Sequence, residues 1–314
     1  MTTLPSETTE IFLTDGGLET TLIFLEGFDL PCFASFDLIK DENGKSAIRD
    51  YYKRYLDIAK KYKLGFILES PTWRANPDWV EMAGYPRSET AEINRKAAQM
   101  MVDLKDEFAK YEGSILVSGC IGPRGDGYQP DTIMTPEAAC EYHSEQIAAF
   151  KSVPVDMVSA ITMTNVEEAI GITLVAADAG IPAVISFTVE TNGKLPSGTS
   201  LKDAIAAVDG ACAVPPIYYM INCAHPTHFA DELMTAKGED WTKRIRGLRA
   251  NASSKSHAEL DESTELDRGD LDDFAAGHSD LVRHFPQINV FGGCCGTDEE
   301  HILAILDQLK LAKS

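Results

Sequence analysis

A chain of 314 residues is longer than most single-core domains but suits one α/β barrel. It buries enough core to fold unaided, so a bound metal would serve chemistry rather than folding. Its 49 acidic side chains against 28 basic ones give a formal charge of −21, which repels phosphate backbones and sets nucleic acid aside as a partner.

In chain order, short β-branched or aromatic runs alternate with amphipathic stretches. The predicted strands are Ile11–Leu13, Gly65–Leu68, Ile115–Ser118, Met157–Ala160, Ala183–Phe187, Ile217–Ile221, Ile245–Leu248 and Asn289–Phe291. Helices are predicted at Ala47–Tyr62, Glu89–Tyr111, Pro136–Lys151 and Val166–Ala179. Thr135-Pro136 reads as N-cap and first helical residue, and Gly180 with Pro182 closes the fourth helix. Eight strand–helix units in sequence predict a (β/α)8 barrel over residues 1–314, a single domain, with the seventh strand the weakest signal. The polar, acidic segment Ala250–Asp273 reads as a long loop on the catalytic face or as a solvated excursion. The acidic start carries no signal-peptide pattern, the apolar runs are strand-sized, and seven cysteines show no scaffold spacing. A cytoplasmic, reducing location away from membranes is expected.

The active site of such a barrel lies at the C-terminal strand ends. After strands one, three, six and eight the tips read Asp15-Gly16-Gly17-Leu18-Glu19, Ser118-Gly119-Cys120-Ile121-Gly122-Pro123, Ile221-Asn222-Cys223-Ala224-His225-Pro226 and Gly292-Gly293-Cys294-Cys295-Gly296-Thr297. Consecutive strand residues face opposite ways, so Cys294 and Cys295 address one ion only where the chain is already turning. Gly292, Gly293 and Gly296 are expected to supply that freedom. Even-numbered strands share layers, which lets Cys223 converge on the pair. Three thiolates with one open position form the pattern of a catalytic Zn²⁺ site. The residues alone leave alternatives: a vicinal disulfide between Cys294 and Cys295, or His225 as a ligand rather than a loop residue. Cys32, Cys120, Cys140 and Cys212 are expected to be buried free thiols.

These segments resemble the homocysteine S-methyltransferase family, which includes betaine–homocysteine methyltransferase, S-methylmethionine-dependent enzymes and the homocysteine module of cobalamin-dependent methionine synthase. The similarity runs nearly end to end and rests on Asp15-Gly16-Gly17, Ile121-Gly122-Pro123, Asn222-Cys223 with Pro226, and Gly292-Gly293-Cys294-Cys295-Gly296-Thr297. The resemblance implies a (β/α)8 fold, Zn²⁺ held by Cys223, Cys294 and Cys295, and methyl transfer to homocysteine to give methionine. Chemistry supports it: a free thiol has a pKa of about 8.5, and coordination makes it a nucleophilic thiolate at neutral pH. The donor methyl must then sit on a positively charged sulfur or nitrogen to leave readily.

The resemblance also assigns substrate contacts. Asp15 matches a position that meets the homocysteine ammonium and is taken as the catalytic-site carboxylate; Glu19, one turn on, joins it or faces solvent. After strand four, where many members carry Glu-Thr, this chain reads Ile161-Thr162. Thr162 is retained as a substrate contact, but Ile161 accepts no hydrogen bond. Either Glu190 or Glu69 substitutes, or the acceptor thiol is not an ordinary amino acid. Trp73 is the foremost aromatic for an onium donor, with Phe33, Phe36 and Tyr128 behind it, and each is equally explained by packing. The chain is too short for appended folate or cobalamin domains, so a small diffusible donor such as a betaine or an S-methylmethionine-like sulfonium is expected. Two rivals stand: a zinc hydrolase with water in the open position, and a thiol-binding module working with a separate corrinoid partner. Homo-oligomer formation is left open.

Overall fold

The fold comes from a computed structural model that describes residues 3–128, 133–261 and 265–311. Eight parallel strands close on themselves in chain order: β1 (Phe12–Leu13), β2 (Gly65–Glu69), β3 (Ile115–Ile121), β4 (Met157–Met163), β5 (Ala183–Phe187), β6 (Tyr218–Asn222), β7 (Ile245–Ala250) and β8 (Val290–Gly293). The ring closes where Phe12 lies opposite Val290 and Leu13 opposite Phe291. Between and after the strands run α1 (Glu42–Tyr62), α2 (Thr90–Glu107), α3 (Pro136–Lys151), α4 (Val166–Ala179), α5 (Leu201–Ala211), α6 (Pro226–Thr235), α7 (Leu271–His284) and α8 (Glu299–Gln308). This is the predicted (β/α)8 barrel, the seventh strand included.

Local chemistry sets the helix ends. The Asp41 side chain accepts the Gly44 N–H, so α1 begins ahead of the predicted Ala47. Thr135 accepts the Ala138 N–H before Pro136, and Gly180 closes α4 in the left-handed region at φ 71°. The second helix stops at Glu107, short of the predicted Tyr111.

Strand alternation splits the apolar residues into two layers. Phe12, Ile67, Leu116, Met157, Val184 and Met220 fill the barrel interior. Leu13, Phe66, Leu68, Val117, Val158 and Ile185 face the helices. Each such burial stabilises the fold by roughly 1.5–3 kcal/mol, which is why the barrel needs no metal to stand. Most strands run past their predicted ends, furthest β3 to Ile121 and β4 to Met163, so Cys120, Ile161 and Thr162 belong to strands. A register shift between Ala160 and Met163 accompanies Thr162 at φ 65° and turns its polar groups toward β6.

Within Ala250–Asp273 a short helix, His257–Asp261, follows β7; residues 262–264 lie outside the described residues. From the described part of the segment, Ser253, Leu260 and Leu266 line the cavity at the barrel mouth. No helix among the described residues is long and apolar enough to cross a membrane.

Candidate active site

The C-terminal strand ends enclose a cavity of about 520 Å³ that Cys223, Cys294 and Cys295 all line. Cys223 follows β6 at φ 50°, a conformation that costs a non-glycine residue about 1–2 kcal/mol. Its carbonyl is held by His257 Nε2 at 2.6 Å and by the Asn251 amide at 3.1 Å, contacts that fix the turn. Beyond β8, the Cys294 N–H donates to the Ala250 carbonyl at 2.9 Å, and the Cys294 carbonyl accepts the Thr297 hydroxyl at 2.7 Å.

The sulfurs of Cys223 and Cys294 are joined as a disulfide and Cys295 is a free thiol, so the vicinal pairing does not form. All three sulfurs lie within 4.8 Å of one another. Zinc bound tetrahedrally at about 2.3 Å requires sulfurs roughly 3.8 Å apart, so the cluster fits such an ion once the disulfide is reduced. The glycines act differently than expected. Only Gly296, at φ 79°, supplies left-handed backbone. Gly292 and Gly293 lie within β8, where a Cβ would strike Thr14 and Thr297 respectively; they permit close approach rather than turning.

Asn222 and Thr162 brace the sulfurs. The Asn222 Oδ1 accepts the Thr162 N–H at 2.9 Å and the Ser186 hydroxyl at 2.6 Å, while its Nδ2 donates to Thr162 Oγ1 at 2.8 Å. Asn222 Nδ2 then lies 3.9 Å from Cys294 Sγ, and Thr162 Oγ1 3.9 Å from Cys223 Sγ. The Tyr128 hydroxyl is 3.5 Å from Cys295 Sγ, and its ring stacks on His257 at 4.2 Å.

An unforeseen arginine dominates the electrostatics. Arg249, on the inner face of β7, donates from Nη2 to Asp15 at 2.7 Å and from Nε to the Gly293 carbonyl at 3.3 Å. Its Nη1 lies 3.8 Å from Glu69 Oε1. Burial opposes its charge, but Asp15 and Glu69 hold it protonated above the usual guanidinium range. Asp15, 2 % exposed, also accepts from the Tyr51 hydroxyl at 3.2 Å; burial raises its pKa against the pull of Arg249. Burial pushes Glu69 up to about 7, opposed by Arg249 and the Ser118 hydroxyl. Glu19 lines the cavity and accepts from Ser35 at 2.7 Å, its pKa likewise raised by burial.

Trp73 lines the cavity, donating to the Ile161 carbonyl at 3.1 Å, but the Arg74 guanidinium already sits 4.3 Å from its ring and 3.6 Å from Trp79. Phe33 and Tyr128 line the cavity too, whereas Phe36 is buried against Tyr85. Glu190 is not brought to the cavity wall; it pairs with His257 Nδ1 at 3.2 Å. His225 takes the loop role, capping α6 through the Thr227 N–H. Cys120 and Cys212 are buried free thiols as expected, while Cys32 and Cys140 are partly exposed, and Cys32 lines the cavity. Arg249 was legible only as an inward residue two places after Gly247 in the weakest strand; nothing in the motif Asn222-Cys223 announced the bracing role of Asn222.

A (β/α)8 barrel that gathers three cysteine sulfurs beneath a cavity lined with carboxylates and aromatic rings defines a barrel enzyme able to hold a thiophilic metal at its catalytic face. Residues 12–309 match the homocysteine S-methyltransferase family, and the chain belongs to that family of methyltransferases. The homocysteine methyltransferase MmuM from Escherichia coli shares the fold at 20% identity. Its metallated form superposes with a TM-score of 0.73, covering 95% of this chain and 96% of that one. Its oxidized form gives 0.73 over 97% and 98%, and its apo form 0.66 over 95% and 96%.

Proposed function

We propose that this protein is a zinc-dependent methyltransferase that moves a methyl group from a small sulfonium or quaternary ammonium donor to homocysteine, giving methionine. The observation that carries the reading is the convergence of Cys223, Cys294 and Cys295 within 4.8 Å on the cavity wall. Three thiolates are a soft donor set that suits Zn²⁺ and leaves one position for an incoming sulfur. When bound, the ion would keep the acceptor sulfur as a thiolate at neutral pH.

The chain's own residues supply the rest. Asn222 and Thr162 orient the sulfurs from the rear, and Glu19 and Asp15 give the cavity its acidic wall. The lining carboxylates Asp15, Glu19, Glu69, Asp126, Glu265 and Asp267 outnumber Arg74 and Arg249, which favours a cationic methyl donor. Trp73, Phe33 and Tyr128 offer it aromatic surface, worth about 0.5–2 kcal/mol each where a ring face is open. In transfer, the acceptor sulfur forms a bond to the methyl carbon as the carbon–sulfonium or carbon–ammonium bond breaks. The electron pair leaves with a neutral thioether or amine, and the thiol proton has already passed to solvent. The three-thiolate set argues against a hydrolase, whose metal is usually held by histidines and carboxylates.

The test is a panel of onium donors with homocysteine and the zinc-loaded protein, read as methionine by mass spectrometry. Turnover with at least one small donor is expected. Turnover only after adding a methylated corrinoid protein would replace the diffusible donor with a partner, and no methylated thiol under any condition would overturn the reading.

A further inference from the structure

Two polar atoms at the cavity make no hydrogen bond among the described residues. Glu69 lines the cavity at the tip of β2, 3 % exposed, and its Oε2 has no hydrogen-bond partner among the described residues. Arg249 spends Nη2 on Asp15 and Nε on Gly293, and among the described residues its Nη1 makes no hydrogen bond; the nearest ion-pair contact from Nη1, to Glu69 Oε1, is 3.8 Å. Leaving a buried carboxylate oxygen unpaired is costly, and a bound ligand removes that cost. Asp15 is less available, since Tyr51 and Arg249 each engage one of its oxygens. The adjacent lining side chains Ile161 and Cys120 offer mainly apolar surface.

We propose that Glu69 and Arg249 are the specificity-determining pair for the head group of the acceptor, Glu69 receiving its α-ammonium and Arg249 Nη1 its α-carboxylate. The inference rests on the thiol-acceptor reading above and deepens it to an α-amino-acid thiol. An α-amino acid carries opposite charges on two substituents of one carbon, and the pair presents opposite charges side by side, Nη1 and Oε1 3.8 Å apart. Arg249 also ties this end of the ligand to the reacting end, because its Nε holds the carbonyl of Gly293, the residue before Cys294. A ligand lacking either charge leaves one buried group unpaired, and sites built this way reject such analogues strongly.

The test is calorimetric binding at pH 8 of three thioethers to the full-length protein: methionine, 4-(methylthio)butanoate, which lacks the ammonium, and 3-(methylthio)propylamine, which lacks the carboxylate. Wild type should prefer methionine to both. Glu69→Gln should weaken methionine by roughly 10–100-fold while leaving 4-(methylthio)butanoate within threefold. Arg249→Lys, which keeps the charge beside Asp15, should weaken methionine and 4-(methylthio)butanoate but not the amine. Equal losses for all three ligands in Glu69→Gln, or no preference in wild type, would overturn the pairing even if homocysteine is methylated. Failure of wild type to bind any thioether or to methylate any thiol would remove the reading beneath it as well.

Discussion

Raising the pH from 6 to 8 should tighten methionine binding, because the carboxylate at the tip of β2 ionises across that interval. Burial pushes Glu69 up to about 7 from the ordinary glutamate range, with Arg249 and Ser118 opposing. The carboxyl is therefore mostly neutral at pH 6 and mostly ionised at pH 8. A neutral carboxyl offers an ammonium little, so the affinity should follow the ionised fraction and rise about tenfold, or roughly 1.4 kcal/mol. The ammonium of a free amino acid stays protonated throughout. The groups around Glu69 do not account for such a change: Tyr52 and Tyr218 are driven far above this range by burial, Cys120 is raised well above 9.0, and Arg249 remains cationic. Asp15 is also raised, by burial against Arg249, so Glu69→Gln is the control that separates the two. Calorimetric titrations at half-unit pH steps should show the rise in wild type and a flat profile in Glu69→Gln. A rise of equal size in Glu69→Gln would refute the assignment and move the titration to another group.

Replacing Cys223, Cys294 or Cys295 with Ala should strip zinc while the barrel stays folded by circular dichroism; wild-type zinc by elemental analysis in all three would refute the ligand set. His257→Ala removes the 2.6 Å contact that fixes the Cys223 carbonyl and should weaken zinc retention by about 10–100-fold against a chelator, with Glu190→Gln closer to wild type. Unchanged retention in His257→Ala would reduce that ring to packing on Tyr128. Asp15→Asn leaves buried Arg249 with Glu69 as its remaining carboxylate and should lower the unfolding free energy by about 3 kcal/mol in a denaturant titration. A loss under 1 kcal/mol would show that the pair is more hydrated than its burial implies.

Much of this is legible in the sequence, for reasons that differ by element. The strand order followed from spacing, since each apolar run was separated by enough chain for a helical crossover, and parallel pairing leaves few alternatives to a closed ring. The cysteine tips were readable because an adjacent pair flanked by glycines makes little sense as core. What stayed hidden was pairing across strands. Tyr51 and Tyr52 look like ordinary core residues of an amphipathic helix, yet their hydroxyls reach Asp15 at 3.2 Å and the Glu69 carbonyl at 2.6 Å. The gap at Ile161 was visible, but not which carboxylate faces the cavity, because Glu69 and Glu190 both sit near strand tips. Three-dimensional proximity separates them: Glu69 lines the cavity, while Glu190 is turned to His257.

The strand with the faintest sequence signal ties the site together. β7 lies between the two strands whose tips carry the cysteines, and its last two residues hold both. The Arg249 carbonyl accepts the Cys223 N–H at 3.1 Å, and the Ala250 carbonyl accepts the Cys294 N–H at 2.9 Å. The side chain of Arg249 meanwhile pairs with Asp15 and approaches Glu69 across the barrel. One residue thus connects the backbone of Cys223 to the carboxylates of Asp15 and Glu69. A buried arginine with two carboxylates is a poor source of stability, since desolvation consumes most of the Coulombic gain. Its value lies in fixing, relative to the sulfurs, where a charged ligand must place its own charges. That accounts for an arginine at the end of β7, two places after Gly247 on the same face.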